Sequence, residues 1–194
     1  RLSIIDLTET GSQPMTDMES QVTVVLNGEI YNFKTLRKEL ELKGVKFKGT
    51  SDTEVLLKVY VFWGQLGLKK LEGIFSFAVW DSRDGTLILS RDRLGIKPLF
   101  FTVCRGDLFF ASEIKSLLKN PEVSKEVNCQ SFSEYLWYGN SYEDRTMFND
   151  IYSLLPGHWL IQKNGNIAIN PWWSIEDFAE KEKFQGTFNE AIPA

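Results

Sequence analysis

Residues 74–80 read Ile-Phe-Ser-Phe-Ala-Val-Trp, an uninterrupted apolar run with the length of one buried strand. The next five residues, Asp-Ser-Arg-Asp-Gly at 81–85, have the composition of a turn, and residues 87–90 (Leu-Ile-Leu-Ser) read as the returning strand. Strands joined by a short turn pair antiparallel. This stretch therefore predicts an antiparallel sheet.

Two more hairpins are predicted on the C-terminal side of this stretch. Residues 98–103 and 108–111 flank Arg-Gly-Asp, and residues 157–162 and 167–169 flank Asn164-Gly165. An Asn-Gly pair between apolar runs is a strong hairpin signal, because both residues tolerate positive φ. Short helices are predicted at 112–119 and 131–138.

The N-terminal side combines a strand with two helices. Residues 22–26 (Val-Thr-Val-Val-Leu) predict a buried strand that ends at Asn27-Gly28. A helix is predicted over 33–43 with Asn32 as its cap, and a second begins at Ser51, which stands three residues before Glu54 in capping-box spacing. Gly64 is expected to end it. Consecutive hairpins with helices laid over them indicate an α+β fold.

The composition is that of an ordinary globular domain and limits the function. The 194 residues are 43% hydrophobic and 25% charged, and the net charge is −4. Lys and Arg are scattered, which argues against a nucleic-acid or anionic-membrane partner. No apolar run approaches the ~20 residues that span a bilayer. With two cysteines and one histidine, neither a disulfide framework nor a metal site is predicted, which favours a reduced, cytoplasmic protein.

Two polar positions could carry chemistry. Asn27-Gly28 has the composition of a tight turn, but a Gly amide and an Asn carboxamide are also two donors that could converge on one oxyanion. Asp52, in the first turn of a helix, could simply stabilise the helix dipole. Because Ser51 can supply the cap, the Asp52 carboxylate is alternatively free to hold an ammonium group.

Of the remaining candidates, one could bind an anion and three are not expected to take part in the chemistry. Arg1 is either a solvated charge beside a strand or a guanidinium fork for a carboxylate. His158, at a strand start, has no partner His or Cys near it in sequence and is interpreted as structural. Cys104, expected in a hairpin turn, and Cys129, expected in an irregular stretch, lie beside no recognisable base, so neither is a convincing nucleophile.

Taken in order, the motifs resemble the glutamine-hydrolysing asparagine synthetase family over roughly residues 1–175. Each motif is weak alone, but the ordered series is very specific. The matching segments are Arg1-Leu2-Ser3-Ile4-Ile5-Asp6, Gln13-Pro14-Met15, Asn27-Gly28-Glu29-Ile30-Tyr31-Asn32, Ser51-Asp52-Thr53-Glu54, Trp63-Gly64, Gly73-Ile74-Phe75-Ser76-Phe77-Ala78, Arg91-Asp92-Arg93-Leu94-Gly95-Ile96-Lys97-Pro98-Leu99, Ala111-Ser112-Glu113-Ile114-Lys115 and Leu154-Leu155-Pro156-Gly157-His158.

The resemblance implies a class II (Ntn-hydrolase) amidotransferase fold, an αββα sandwich of two antiparallel sheets between helical layers. In such domains an N-terminal cysteine attacks the side-chain amide of glutamine, and its own α-amino group relays the proton. The released ammonia passes to a C-terminal synthetase domain that amidates aspartate. ATP and Mg²⁺ are expected in that domain, and no cofactor in this one. The resemblance leaves a homodimer open.

By resemblance, each part of glutamine has its own contacts. Arg1 would hold the α-carboxylate, Glu29 and Asp52 the α-ammonium, and Asn27 with Gly28 the oxyanion. The pocket wall would be backbone from Leu2, Ser3, Ile4 and Ile5. A guanidinium group, two carboxylates and two hydrogen-bond donors match the charged groups and the side-chain amide of zwitterionic glutamine.

The sequence departs from the family at both ends. It has no Cys-Gly-Ile start, no His-Arg-Gly-Pro-Asp segment and no Ser-Gly-Gly-Leu-Asp-Ser motif. We therefore expect residues 1–175 to be an amidotransferase domain without its first strands and nucleophile, and residues 176–194 a linker towards a missing synthetase domain. Alone, such a fragment is predicted to be inactive. Two alternatives remain: the same fold serving another acceptor, and a non-catalytic glutamine-binding or scaffold remnant.

Overall fold

A computed structural model describes residues 11–179 of the chain. Arg1, Leu2, Ser3, Ile4 and Ile5, which were predicted to contact glutamine, lie outside the described residues. The strands are β1 (Met15–Asp17), β2 (Val22–Ile30), β3 (Gly73–Asp81), β4 (Thr86–Arg91), β5 (Phe100–Cys104), β6 (Asp107–Ala111), β7 (Tyr152–Ser153), β8 (His158–Lys163) and β9 (Asn166–Pro171). The helices are α1 (Phe33–Leu42), α2 (Asp52–Gly67), α3 (Ile114–Leu117), α4 (Cys129–Tyr138) and α5 (Glu176–Ala179).

The strands form two antiparallel sheets. The larger has the order β1-β2-β3-β4-β8-β9, and the smaller has the order β6-β5-β7. All three predicted hairpins are confirmed: β3 pairs with β4, β5 with β6, and β8 with β9 around Asn164-Gly165. In the described part of the chain no helix is long and apolar enough to cross a membrane.

Alternating side chains divide the interior into layers. On β2, Val22, Val24 and Leu26 pack with the apolar faces of α1 and α2, whereas Val25 faces the smaller sheet. On the smaller sheet, Phe101 faces the large sheet and Phe100 packs with α3. The order is therefore helices, large sheet, small sheet, helix, which is the αββα sandwich predicted above.

The predicted end of the first strand was wrong. The strand β2 does not stop at Asn27-Gly28 but continues to Ile30, paired with β3 throughout, and Asn27 lies opposite Ser76. Gly28 is therefore not a turn residue. Its φ is +132°, and a Cβ built on it would come within 2.1 Å of the Ile74 carbonyl oxygen. Glycine is present because the β3 backbone passes too close for a side chain.

The predicted helix caps were partly wrong. Ser51 does accept the Glu54 N–H, but the Glu54 carboxylate accepts from the Lys48 and Gly49 N–H groups instead of closing a capping box. The Asn32 side chain makes no cap bond. Instead, it donates to the Lys70 carbonyl and accepts from the Glu72 N–H, in the segment before β3. Gly64 interrupts the helical path as predicted (φ 63°, ψ −157°), and a further helical stretch follows it to Gly67.

Candidate active site

Beyond the end of β1, three backbone N–H groups of β2 point away from β3. The Leu26 N–H donates to Gln13 Oε1 at 2.7 Å, and the Ile30 N–H donates to Asp52 Oδ2 at 3.1 Å. The Tyr31 N–H, by contrast, points towards the β3 side and donates to Glu72. Because donors alternate along a strand, the Gly28 N–H lies on the same edge as those of Leu26 and Ile30.

The Gly28 N–H lies beyond the end of β1. Pairing between β1 and β2 stops at Met15 opposite Val24, so no strand in residues 11–179 covers the edge at Gly28. Side chains from Gln13 and Asp52 satisfy the two flanking N–H groups. A backbone donor at an edge that no strand of residues 11–179 covers is suited to stabilise a negative oxygen.

Asn27 contributes a second donor next to Gly28. Its side chain faces the interval between the sheets, where Nδ2 donates to Ser112 Oγ at 3.1 Å. The amide nitrogen carries two hydrogens, so one remains available. The structure thus brings the two predicted oxyanion donors together on adjacent residues, one at the strand edge and one on its face.

Asp52 is held more tightly than predicted. The carboxylate is not free: Oδ2 accepts the Ile30 N–H and Oδ1 accepts the Thr53 N–H at 2.9 Å. Burial raises the pKa of this carboxyl, the two backbone donors oppose the increase, and the charge of Glu29 adds to it. Each oxygen keeps acceptor capacity. An ammonium group next to Asp52 would offset the cost of burying its charge.

A cavity of about 160 Å³ lies between the sheets beside Asn27. Its wall is mostly apolar, with Asn27, Ser76 and Ser112 as the polar side chains. A second space of about 280 Å³ shares Val25, Ala78 and Phe110 with it. Polar groups concentrated at one end of an apolar cleft are typical of a small-molecule site.

The loop between β4 and β5 is a hydrogen-bonded frame for this end of the sheet. Asp92 is buried and accepts four backbone N–H groups, those of Phe75, Leu94, Ile96 and Lys97. The Arg91 guanidinium donates to the carbonyl groups of Gly95, Lys97 and Leu154. Pro98 then accepts from the Ser76 hydroxyl, which links the frame to the cavity wall.

The histidine and both cysteines lie apart from these donors. His158 begins β8, as predicted, and its Nδ1 lies 2.8 Å from the Pro156 carbonyl oxygen. Cys104 is the last residue of β5 and not a turn residue, and Cys129 is the first residue of α4 and not irregular. In the described part of the chain no three His, Cys, Asp or Glu side chains are grouped to hold a metal ion.

Sequence reasoning did not identify three residues that shape the site. Gln13 satisfies Leu26 and also donates to Thr53 Oγ1, Ser112 holds Asn27, and Asp92 organises the loop. Gln13 and Ser112 fell inside motifs quoted above, but nothing local indicated their partners. For Asp92 the signal was an acid between two arginines directly after an apolar strand.

Comparisons with known proteins identify the family to which the chain belongs. Residues 1–173 match the family model described as "Glutamine amidotransferase domain". The chain is 39% identical over 190 residues to "Asparagine synthetase [glutamine-hydrolyzing] 3" of Bacillus subtilis, covering 96% of this chain and 31% of that protein. It is 38% identical over 177 residues to "Amidase chyE" of Penicillium rubens, covering 91% and 26%. The chain thus spans about a quarter to a third of the length of such relatives.

A solved structure supports the fold. The glutamine phosphoribosylpyrophosphate amidotransferase of B. subtilis superimposes with a TM-score of 0.57 at 20% identity, covering 83% of this chain and 32% of that one. The antiparallel sandwich is therefore of the Ntn amidotransferase type. With the family model matched over nearly the whole sequence, the chain belongs to the class II glutamine amidotransferase family.

Proposed function

We propose that this chain is the glutamine-hydrolysing part of a glutamine-dependent asparagine synthetase. The observation that carries the proposal is the part of the β2 edge that no strand of residues 11–179 covers. There the Gly28 N–H lies next to the Asn27 amide and between two N–H groups that donate to Gln13 and Asp52. Asparagine synthetases with a glutamine-hydrolysing name align with this chain at 36–39% identity, which supports the same assignment.

In this proposal glutamine spans the edge of β2. Its α-ammonium lies near Asp52 and Glu29, its α-carboxylate meets Arg1, and its pocket wall includes the backbone of Leu2 to Ile5. Its amide carbonyl oxygen lies within reach of Asn27 Nδ2 and the Gly28 N–H. Because burial disfavours the Asp52 carboxylate, pairing it with ammonium contributes binding energy and orients the substrate.

The chemistry then follows the family's nucleophilic route. A cysteine sulfur of the longer protein attacks the amide carbon, and the carbonyl oxygen becomes an anion that the two donors stabilise. The C–N bond breaks, nitrogen takes the proton that the attacking thiol gave up and leaves as ammonia, and a thioester remains. Water hydrolyses the thioester to glutamate. The net reaction is glutamine plus water giving glutamate plus ammonia.

The acceptor for ammonia would bind outside this chain. We infer that a C-terminal synthetase domain, with ATP and Mg²⁺, uses the ammonia to amidate aspartate. The amidases among the relatives make another acceptor the competing candidate. Aspartate-dependent consumption of ATP by the longer protein, with ammonia as nitrogen donor, distinguishes these two candidates.

The oxyanion assignment predicts a selective kinetic defect in the longer protein. Asn27→Ala should lower kcat for glutamine hydrolysis by ~10²–10³ and change KM little, because the lost donor acts mainly in the transition state. Synthesis from added ammonia should persist. The matched control is Asn32→Ala, since Asn32 bridges the Lys70 carbonyl and the Glu72 N–H and should affect stability alone. A folded Asn27→Ala protein with unchanged kcat would refute the assignment.

A further inference from the structure

The Asn27 carboxamide is fixed by a residue from the other sheet. Its Nδ2 donates to Ser112 Oγ across 3.1 Å, although the two residues are 85 positions apart in sequence. Asn27 belongs to β2 in the large sheet, whereas Ser112 directly follows β6 in the small sheet. Both side chains are half-buried and line the same 160 Å³ cavity. The bond therefore crosses the space between the sheets at the proposed oxyanion site.

Such a bond has a definite effect on an amide side chain. An asparagine carboxamide rotates about two side-chain bonds, and an unrestrained donor has to be ordered during the reaction. When the Ser112 hydroxyl accepts one of the two Nδ2 hydrogens, the plane of the Asn27 amide is fixed and the second hydrogen points in a defined direction. The neighbouring hydroxyl of Ser76 donates to the Pro98 carbonyl and is already engaged.

We propose that Ser112 is a positioning residue for glutamine hydrolysis, holding the Asn27 carboxamide in the orientation that stabilises the oxyanion. Ser112 acts through Asn27 and does not itself contact the reacting atoms. The inference rests on the proposed function, because it presumes that Asn27 is an oxyanion donor. The competing hypothesis is that Ser112 holds the Asn27 carboxamide away from the reacting atoms. Removal of the Ser112 hydroxyl would then accelerate the reaction.

The test is a double-mutant cycle in the longer protein, with glutamine as substrate. Ser112→Ala should lower kcat about tenfold, equivalent to about 1.4 kcal/mol in the barrier, and change KM less than twofold. Ser112→Thr keeps the hydroxyl and should restore most of the rate. In an Asn27→Ala background, Ser112→Ala should add less than a twofold effect, since residues acting through one group are non-additive. Ser82→Ala is the control: its hydroxyl donates to the Gln21 carbonyl and does not line the cavity, so kcat should be unchanged.

The outcomes separate this inference from the proposed function. If Asn27→Ala is slow but Ser112→Ala has normal or raised kcat, the positioning role is wrong and the oxyanion assignment stands. A tenfold loss that persists in the Asn27→Ala background also overturns it, because Ser112 then acts by another route. If Asn27→Ala itself has normal kcat, both fail. Should Ser112→Ala not fold, Ser112→Cys, of similar volume and weak acceptor strength, takes its place.

Discussion

Gly28 combines a structural requirement with a chemical one. Its missing side chain lets β2 approach β3, where the Ile74 carbonyl oxygen would lie 2.1 Å from any Cβ. Its backbone N–H is directed to the opposite edge, towards the proposed substrate. A substitution at Gly28 therefore tests the fold, and only variants of Asn27 or Ser112 test the donors.

Gly28→Ala should destabilise the protein severely. The new methyl group meets β3 backbone that cannot move without breaking strand pairing, so we expect a loss of roughly 3 kcal/mol or more in the free energy of unfolding. Gly85→Ala is the control: its φ is +69°, but no atom lies within 4 Å of the added Cβ. Strain alone should cost about 1–2 kcal/mol there. Urea denaturation of both variants checks this, and equal losses would contradict the close-approach explanation.

Asp52 should give stability a recognisable pH dependence. Burial raises the pKa of its carboxyl, so its stabilising contribution is complete below the unfolded pKa of about 3.9 and is lost as pH rises through the folded pKa. Asp52→Asn removes this titration. Any hydrogen bond lost in the variant lowers the free energy of unfolding by the same amount at every pH. As pH rises from 3 to 7, the free energy of unfolding of the variant should therefore increase relative to that of the wild type. A constant difference across that range would show that the pKa is not raised.

At the scale of elements, local chemistry predicted the three hairpins and the starts of α1 and α2, whereas α3 and α4 begin at Ile114 and Cys129 instead of the predicted 112 and 131. Asn164-Gly165 adopts the positive φ values that its composition favours, and Ser51 caps α2 as expected. The errors arose where a distant segment supplied a partner. β2 continues past Asn27 because β3 keeps pairing with it, and Glu54 turns away from its cap because Lys48 and Gly49 offer their N–H groups.

The β2 edge shows why the site was only half predictable. The sequence and the family resemblance were enough to name the candidate site residues Asn27, Gly28 and Asp52. Their arrangement depends on Gln13 and Ser112, whose contacts with β2 have no signal in the neighbouring sequence. Sheet order, such as β8 beside β4, is likewise fixed by burial of both faces and not by any nearby signal.

On the scale of the whole molecule, the described residues include the donors and acids proposed to bind glutamine, and neither Cys104 nor Cys129 lines the cavity beside Asn27. Cys104 is half-buried at the far end of β5, and its Sγ contacts the Glu122 carbonyl. Ser112, by contrast, follows Ala111, which pairs with Phe100 at the opposite end of that strand. Four residues of strand separate these ends by about 13 Å. Cys129 is exposed at the start of α4.

Residues 1–194 alone should therefore release no glutamate from glutamine. Cys104 lies too far from Asn27 and Gly28 for the oxyanion of a tetrahedral adduct on its sulfur to reach those donors at the ~3 Å that stabilisation requires. Cys129 does not line the cavity beside Asn27. A coupled glutamate assay on the purified chain checks this, with Cys104→Ala and Cys129→Ala as controls that should change nothing. Turnover well above the uncatalysed rate, abolished by either substitution, would mean that one of these cysteines is a nucleophile and that the donors at β2 serve a different centre. Background turnover in all three proteins, together with Asn27-dependent hydrolysis in the longer protein, would mean that the chain supplies the oxyanion site and another segment supplies the sulfur.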